Sequence, residues 1–190
     1  TGIGQGYTQT TPLQLCLMTA QIANGGYKIK PKIIVNDDPL TLEDAKNSME
    51  LQSLQKSDTR LFNDPKNIKI VQEAMFSSTN EQFGTSYRSR IDDPKYQFAG
   101  KTGTAQVKRI SKRERELDLE LEQIPYKDRD HALYVAYGPY KNPRYALSII
   151  VEHGGSGSKA AAPMAKELFK LIIDRDELRD KQSNFENINI

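Results

Sequence analysis

The chain has few of the residues that build metal, redox or cofactor sites. Its 190 residues include one cysteine, two histidines and no tryptophan. A single cysteine excludes a disulfide within the chain, and Cys16, between two leucines, is typical of a small buried apolar residue. His131, His153 and Cys16 have no ligand-like spacing, so the sequence predicts no zinc or other metal site. We expect no cofactor.

Long hydrophobic runs and an excess of one charge are also missing. There are 27 basic and 25 acidic residues, a net charge of +2. No apolar run approaches the roughly 18 residues that a membrane-spanning helix needs. No basic run is interleaved with aromatic residues, which argues against nucleic acid as a partner. The length is sufficient for one domain with a modest core.

Helix signals occur at three places. Thr11 and Gln14 form a capping box around Pro12, and the helix that follows is stopped by Asn24-Gly25-Gly26. Asp64-Pro65 opens a second helix that should end near Ser78. A last helix is expected from Ala162-Pro163, with an apolar stripe of Met164, Leu168, Leu171 and Ile172.

Strand signals occur at 97–107, at 131–137 and at 145–151, with a turn rich in Gly, Pro and Asn between the last two. Both faces of the 131–137 strand are apolar enough to be buried, which predicts an antiparallel sheet with helices on one or both sides. The segment 110–130 is charge-dense, and its pattern favours neither helix nor strand. We treat it as an inserted excursion.

The most informative stretch is Lys101-Thr102-Gly103-Thr104, a polar tetrad inside the first predicted strand. Glycine weakens a strand interior, and there it usually marks a bulge or a place where a ligand comes close. Lys-Thr-Gly is also one of three signatures of penicillin-binding proteins and serine β-lactamases. Three residues recur by chance, so the triplet needs support from the rest of the chain.

That support comes from a series of further stretches in a fixed order. The chain resembles the C-terminal part of a class B penicillin-binding protein transpeptidase domain, and within that class the penicillin-binding protein 2 subfamily, from Gly2 to about Ile173. Segments 36–63 and 108–130 match only loosely. The resemblance implies an α+β fold, the C-terminal part of the β-lactamase-like transpeptidase architecture. The stretches that carry it are Gly2-Ile3-Gly4-Gln5-Gly6-Tyr7, Thr11-Pro12-Leu13-Gln14-Leu15, Asn24-Gly25-Gly26, Phe98 to Val107, Tyr137-Gly138-Pro139 and Glu152-His153-Gly154-Gly155.

The resemblance implies roles for the tetrad, and the residue types suit them. Lys101 would hold a substrate carboxylate and favour the deprotonated form of neighbouring catalytic groups. Thr102 and Thr104 would offer hydroxyl donors, and Gly103 would let a substrate backbone lie against the strand. By resemblance, the backbone N–H of Thr104 would be one oxyanion-hole donor. We therefore expect Lys101 and Thr104 to be catalytic and Thr102, Gly103 and Thr104 to bind substrate.

The resemblance also implies partners and a location. The parent protein would bind peptidoglycan stem peptides ending in D-Ala-D-Ala, and β-lactam antibiotics. It would work with membrane-bound proteins of cell-wall elongation. It would sit in the bacterial inner membrane with this domain in the periplasm. We expect residues 1–173 to form the C-terminal portion of the transpeptidase domain, and 174–190 to be a polar, frayed tail.

The family's nucleophile lies in a Ser-x-x-Lys helix, and its second motif is Ser-x-Asn. Both precede the stretch matching Gly2 to Tyr7, so we expect both to lie upstream of Thr1 and this piece to be inactive alone. Similar patterns at Ser53 to Lys56, Ser78 to Asn80 and Ser156 to Lys159 are interpreted as chance matches. The alternatives are a β-lactamase or β-lactam sensor domain, and a non-catalytic binding module.

Overall fold

The computed structural model describes residues 9–31, 60–108 and 119–188, with side chains described up to residue 178. Two helices come first, α1 (Pro12–Ala23) and α2 (Pro65–Asn80). Strands β1 (Ala99–Ala105), β2 (His131–Gly138) and β3 (Tyr145–Val151) follow, and helix α3 (Ala162–Ile188) comes last. Short 3₁₀ turns occupy Tyr87–Ser89, Leu121–Gln123 and Tyr126–Asp128, and a wider π turn, Gly157–Ala161, leads into α3.

The helix starts follow the predicted capping chemistry. The Thr11 hydroxyl accepts the Gln14 N–H at 3.2 Å, and Gln14 Oε1 accepts the Thr11 N–H at 2.8 Å. Asp64 Oδ1 accepts the Lys66 N–H at 2.8 Å at the start of α2. Each cap satisfies donors that the first helical turn cannot satisfy itself. Both predicted helices are therefore confirmed.

The sheet is antiparallel, with β2 in the middle. The β1–β2 register pairs Ala99 with Tyr137 and Ala105 with His131, and the β2–β3 hairpin continues the order. β1 is two residues shorter at each end than the predicted strand 97–107. The prediction of an antiparallel sheet flanked by helices is confirmed, because both faces are covered.

The alternating residues of β2 separate two cores. Tyr134 and its neighbours on the same face pack against α3, where Phe169 stacks on Phe98 with ring centroids 4.9 Å apart. Tyr137, on the opposite face, packs with Met75 of α2 and Ile22 of α1. The molecule is thus layered, with α3 on one side of the sheet and α1 and α2 on the other.

The predicted apolar stripe of α3 is wrong. Met164, Leu168 and Leu171 are 51%, 39% and 67% exposed, whereas Ala165, Phe169 and Ile173 are buried. The opposing surface of β2 presents alanines, so the helix comes close to the sheet and buries the row that contains a small residue. The prediction considered only hydrophobicity and chose the row that contains Met164. The row that contains Ala165 faces the sheet because its side chains have the sizes that fit there.

Helix α3 continues past Asp174 to Ile188, in the segment for which the sequence predicts a polar, frayed tail. Charged side chains on this part of the helix are bonded to the body of the protein. Lys95 Nζ lies 3.1 Å from Asp174 Oδ1 and 2.9 Å from Glu177 Oε2, and Arg144 donates to Asp176 at 2.7 Å. The Tyr96 hydroxyl also donates to Asp174, and with Lys95 it lowers the pKa of that carboxyl. No helix in the described ranges is both long and apolar enough to cross a membrane.

One tyrosine links the two sides of β1. The Tyr134 side chain lies on the α3 face of the sheet and extends over Gly100 of β1. Its buried hydroxyl lies 2.9 Å from Thr79 Oγ1 and 3.1 Å from Ser86 Oγ. A Cβ at Gly100 would lie 2.3 Å from that hydroxyl, so only glycine permits the crossing. Burial raises the pKa of the Tyr134 hydroxyl, which therefore stays protonated.

We expect Tyr134→Phe to lower the free energy of unfolding by about 1–2 kcal/mol, because it leaves two buried hydroxyls short of a partner. Tyr137→Phe is the matched control. The Tyr137 hydroxyl is buried without a hydrogen-bond partner among the described residues, so removing it should cost nothing or stabilise the fold. Urea unfolding of the three proteins measures both effects, and equal losses would contradict the assigned role of Tyr134.

Candidate active site

The tetrad Lys101 to Thr104 lies in β1, at an edge of the sheet. Lys101 pairs with Val135 and Gly103 with Leu133, on the face that α1 and α2 cover. Thr102 and Thr104 point to the opposite face, because successive side chains alternate along a strand. A ligand lying along the open edge of β1 can be reached from both faces. The predicted site residues are thus brought together by the edge position of their strand.

Lys101 and Thr102 are in direct contact. The exposed Lys101 ammonium donates to the Thr102 carbonyl oxygen at 2.7 Å and lies 3.4 Å from Thr102 Oγ1. The Lys101 side chain starts on the face covered by α1 and α2. It bends around the edge of β1, so that its ammonium approaches the Thr102 hydroxyl on the opposite face. A positive charge beside a hydroxyl is a suitable pair of donors for a carboxylate.

The outer edge of β1 is partly occupied by side chains of α2. Thr79 Oγ1 donates to the Gly100 carbonyl at 3.4 Å, and Asn80 Nδ2 donates to the Phe98 carbonyl at 2.9 Å. Both carbonyls therefore point outward, and strand alternation makes the backbone N–H and C=O of Thr102 and Thr104 point outward too. No strand in the described ranges pairs with this edge. The edge beyond Gly100 has the geometry that strand addition requires.

Gly103 lies under a second glycine. A Cβ at Gly157 would be 2.4 Å from the Leu133 carbonyl oxygen and 2.6 Å from that of Gly103. The π turn Gly157–Ala161 thus presses its backbone onto β1 and β2 at the tetrad. Among the described residues, a Cβ at Gly103 would touch only Leu133 Cβ, at 3.3 Å. The backbone that comes close to Gly103 in this structure is that of Gly157. The predicted contact of Gly103 with a substrate stays a prediction.

Two of the chance Ser-x-x-Lys and Ser-x-Asn matches can be located. Ser78 lies in the last turns of α2 and its hydroxyl bonds to Thr85 Oγ1 at 3.2 Å. The Ser156 hydroxyl bonds to Ser158 Oγ at 3.0 Å, and Lys159 is exposed. The match at 53–56 lies outside the described residues.

Sequence reasoning missed Thr85, which belongs to no recognised motif. Its hydroxyl lies 3.2 Å from Thr102 Oγ1 and 3.2 Å from Ser78 Oγ. The only local signal is the preceding Gly84, where a Cβ would be 2.3 Å from the Ser78 carbonyl oxygen. That glycine indicates a tight turn against α2, but it does not indicate that the turn reaches the tetrad.

A cavity of about 640 Å³ opens beside Lys101, between α1, α2 and the sheet. Met18, Ile22, Ile70 and Val71 contribute to its walls, which are mainly apolar. Such walls suit apolar groups, but the cavity is also lined by the donors Lys101, Thr85 and Ser78. The cavity therefore shares Lys101 with the candidate binding site at the edge of β1.

The two histidines meet at the far end of β1. His153 N–H donates to His131 Nδ1 at 3.0 Å, and His153 Nδ1 lies 2.9 Å from the Arg129 carbonyl oxygen. These bonds require the proton of neutral His131 on Nε2 and a proton on Nδ1 of His153. Among the described residues no group of three or more His, Cys, Asp or Glu side chains could hold a metal ion.

Comparison with known proteins gives one family. The family model for the penicillin binding protein transpeptidase domain matches residues 1–170. Peptidoglycan D,D-transpeptidase MrdA of Salmonella typhimurium is 31% identical over 176 residues, which are 91% of this chain and 26% of that protein. The Acinetobacter baumannii protein of the same name is 35% identical over 173 residues, 88% of this chain and 23% of its own. The chain spans about a quarter of the length of these relatives.

Solved structures of penicillin-binding proteins are also similar to this chain. PBP2 of Pseudomonas aeruginosa is 32% identical with a TM-score of 0.61, over 90% of this chain and 32% of that one. PBP2 of Helicobacter pylori, in its complex with MreC, is 30% identical with a TM-score of 0.60, over 89% of this chain and 26% of that one. The similarity thus covers both the sequence and the fold of the described elements.

We expect Gly157→Ala to destabilise the fold by about 1–3 kcal/mol, because its Cβ would overlap two backbone carbonyls that cannot rotate away. Gly103→Ala is the matched control in the same contact. The Cβ of Ala at position 103 would meet a side-chain carbon of Leu133 at a slightly short distance. The free energy of unfolding should therefore fall less in Gly103→Ala than in Gly157→Ala. Thermal or urea unfolding of both variants measures the difference, and the reverse order would contradict the packing described at the tetrad.

Proposed function

The chain belongs to the penicillin-binding protein transpeptidase family, in agreement with the resemblance to penicillin-binding protein 2, and we propose that it forms the substrate-binding wall of a peptidoglycan D,D-transpeptidase. The observation that carries the proposal is the pairing of the Lys101 ammonium with Thr102 at the open edge of β1. An extended stem peptide would add to that edge as a strand, with its terminal carboxylate at the two donors. The names of the relatives favour this function over a β-lactamase or a sensor domain.

The proposed reaction has two steps. A serine of the parent enzyme attacks the carbonyl of the penultimate D-Ala, forms an acyl-enzyme and releases the terminal D-Ala. An amine of a neighbouring stem peptide then takes the acyl group and frees the serine. β-Lactams would acylate the same serine. The reaction uses no cofactor.

The Thr104 N–H is proposed as one oxyanion-hole donor. Strand alternation supports this role, because the outward-facing carbonyl of Gly100 implies that the N–H groups of Thr102 and Thr104 also face the substrate edge. A preorganised N–H at the developing oxyanion contributes roughly 3–4 kcal/mol to transition-state stabilisation. Gly103, between the two threonines, would keep the substrate backbone close to the strand.

The remaining roles concern the parent protein. The Helicobacter pylori relative was solved as a complex with MreC, which supports membrane-bound elongation proteins as partners of the parent. We propose that the parent sits in the inner membrane and that this domain works in the periplasm. We also propose that the nucleophilic serine belongs to a segment outside this chain.

We expect the 190-residue chain alone to form no covalent adduct with benzylpenicillin, because acylation needs the serine that we assign to another segment. Intact-mass spectrometry after incubation gives the answer directly. A stoichiometric mass increase that Ser53→Ala abolishes would contradict the proposal and identify Ser53 as the nucleophile.

In the longer protein that carries this chain, we expect Lys101→Ala to lower the acylation rate constant about ten- to one-hundred-fold, the value of one hydrogen bond between charged groups. Because Lys101 is exposed, the free energy of unfolding should change by less than about 1 kcal/mol. Lys69→Ala is the control, since Lys69 is an exposed lysine of α2 whose ammonium lies 3.8 Å from Glu73 Oε1 and outside the tetrad. Stopped-flow acylation with a fluorescent penicillin measures all three proteins, and a near-normal rate for Lys101→Ala would refute its role.

A further inference from the structure

A row of three hydroxyls leads from α2 to the tetrad. Ser78 Oγ and Thr85 Oγ1 are 3.2 Å apart, and Thr85 Oγ1 and Thr102 Oγ1 are 3.2 Å apart. The Lys101 ammonium lies at the end of the row, 3.4 Å from Thr102 Oγ1. We propose that Thr85 is a positioning residue that orients the Thr102 hydroxyl toward the substrate carboxylate, an inference that rests on the function proposed above.

The directions of these hydrogen bonds follow from the types of donor. An ammonium can only donate, so Thr102 Oγ1 is the acceptor in its contact with Lys101. If Thr85 also donates to it, both lone pairs of the Thr102 hydroxyl are used on the protein side. The single proton of Thr102 then has to point away from both, into the open edge of β1. In that arrangement the Thr85 proton is used on Thr102, so Ser78 is the donor in its bond with Thr85.

Thr85 itself is held by the backbone on both sides. Gly84 packs against the end of α2, where a Cβ would lie 2.3 Å from the Ser78 carbonyl oxygen. Ser86 N–H donates to the same carbonyl at 3.0 Å, and the Ser86 side chain is buried with Tyr134. A residue fixed between two such anchors keeps its hydroxyl in place although its side chain is exposed. This rigidity is what an orienting residue needs.

Two penicillins, one with and one without the carboxylate charge, distinguish a loss of Thr102 orientation from a general loss of structure. In the longer protein, Thr85→Val keeps the shape of the side chain and removes the hydroxyl. We expect it to slow acylation by benzylpenicillin about ten-fold, the value of one weakened hydrogen bond to a charged group. Acylation by benzylpenicillin methyl ester, which lacks the carboxylate charge, should change less than about two-fold. Thr85→Ser, which retains the hydroxyl, should restore the benzylpenicillin rate.

The controls use neighbouring hydroxyls of α2. Ser77→Ala removes a hydroxyl that bonds to Glu81 at 2.9 Å and takes no part in the row, so both rates should be unchanged. Ser78→Ala removes the far end of the row and should have a smaller effect than Thr85→Val. Equal slowing with both penicillins in Thr85→Val, or no slowing with either, would overturn the proposal.

A second measurement on the 190-residue chain does not depend on acylation. Three-bond couplings of the Thr102 methyl carbon report the χ1 rotamer of that side chain. We expect one rotamer in the wild type and in Thr85→Ser, and averaging over rotamers in Thr85→Val. An unchanged Thr102 rotamer in Thr85→Val would overturn the inference. If the longer wild-type protein is not acylated by benzylpenicillin, the proposed transpeptidase function fails, and the rotamer still decides whether Thr85 orients Thr102.

Discussion

The Tyr134 hydroxyl is the interaction on which the site depends. It joins the central strand to Thr79 of α2 and to Ser86, on the far side of β1. Through these bonds α2 and the turn after it keep a fixed position relative to the strand edge. The turn carries Thr85, which contacts Thr102, and Thr102 contacts Lys101. These buried hydrogen bonds thus set the positions of the exposed groups for which we propose a role in substrate binding.

Close backbone packing is the second constraint, and it is achieved by very small residues. Gly100 lets Tyr134 cross β1, and Gly157 lets the π turn lie on β1 and β2 next to Gly103. Alanines of β2 and α3 bring the last helix close to the sheet. Because β1 is packed this closely on both faces, it keeps its position although no strand of the described ranges pairs with its outer edge. An exposed edge that binds a peptide needs that rigidity, because a mobile edge would lose conformational entropy on binding.

Local chemistry made much of the fold predictable. Capping residues identified α1 and α2, and two apolar runs separated by a turn rich in Gly, Pro and Asn identified β2 and β3, because each signal acts within a few residues. The buried row of α3 was wrong because it depends on the size of residues in another strand. The continuation of α3 past Asp174 was missed because its charges pair with Lys95 and Arg144, far away in the sequence. The tetrad was found from a motif, whereas Thr85 has no motif and could be found only from distances.

The edge position of β1 explains how a short tetrad can combine several roles. In a central strand, Lys101 and Thr102 would lie on opposite faces of the sheet and could not bind the same group. At an edge, the lysine side chain turns around the strand and reaches the carbonyl of the next residue at 2.7 Å. The outward N–H groups of Thr102 and Thr104 belong to the same edge. Charge, hydroxyl and backbone donors therefore meet along one line, where an extended ligand can contact all of them at once.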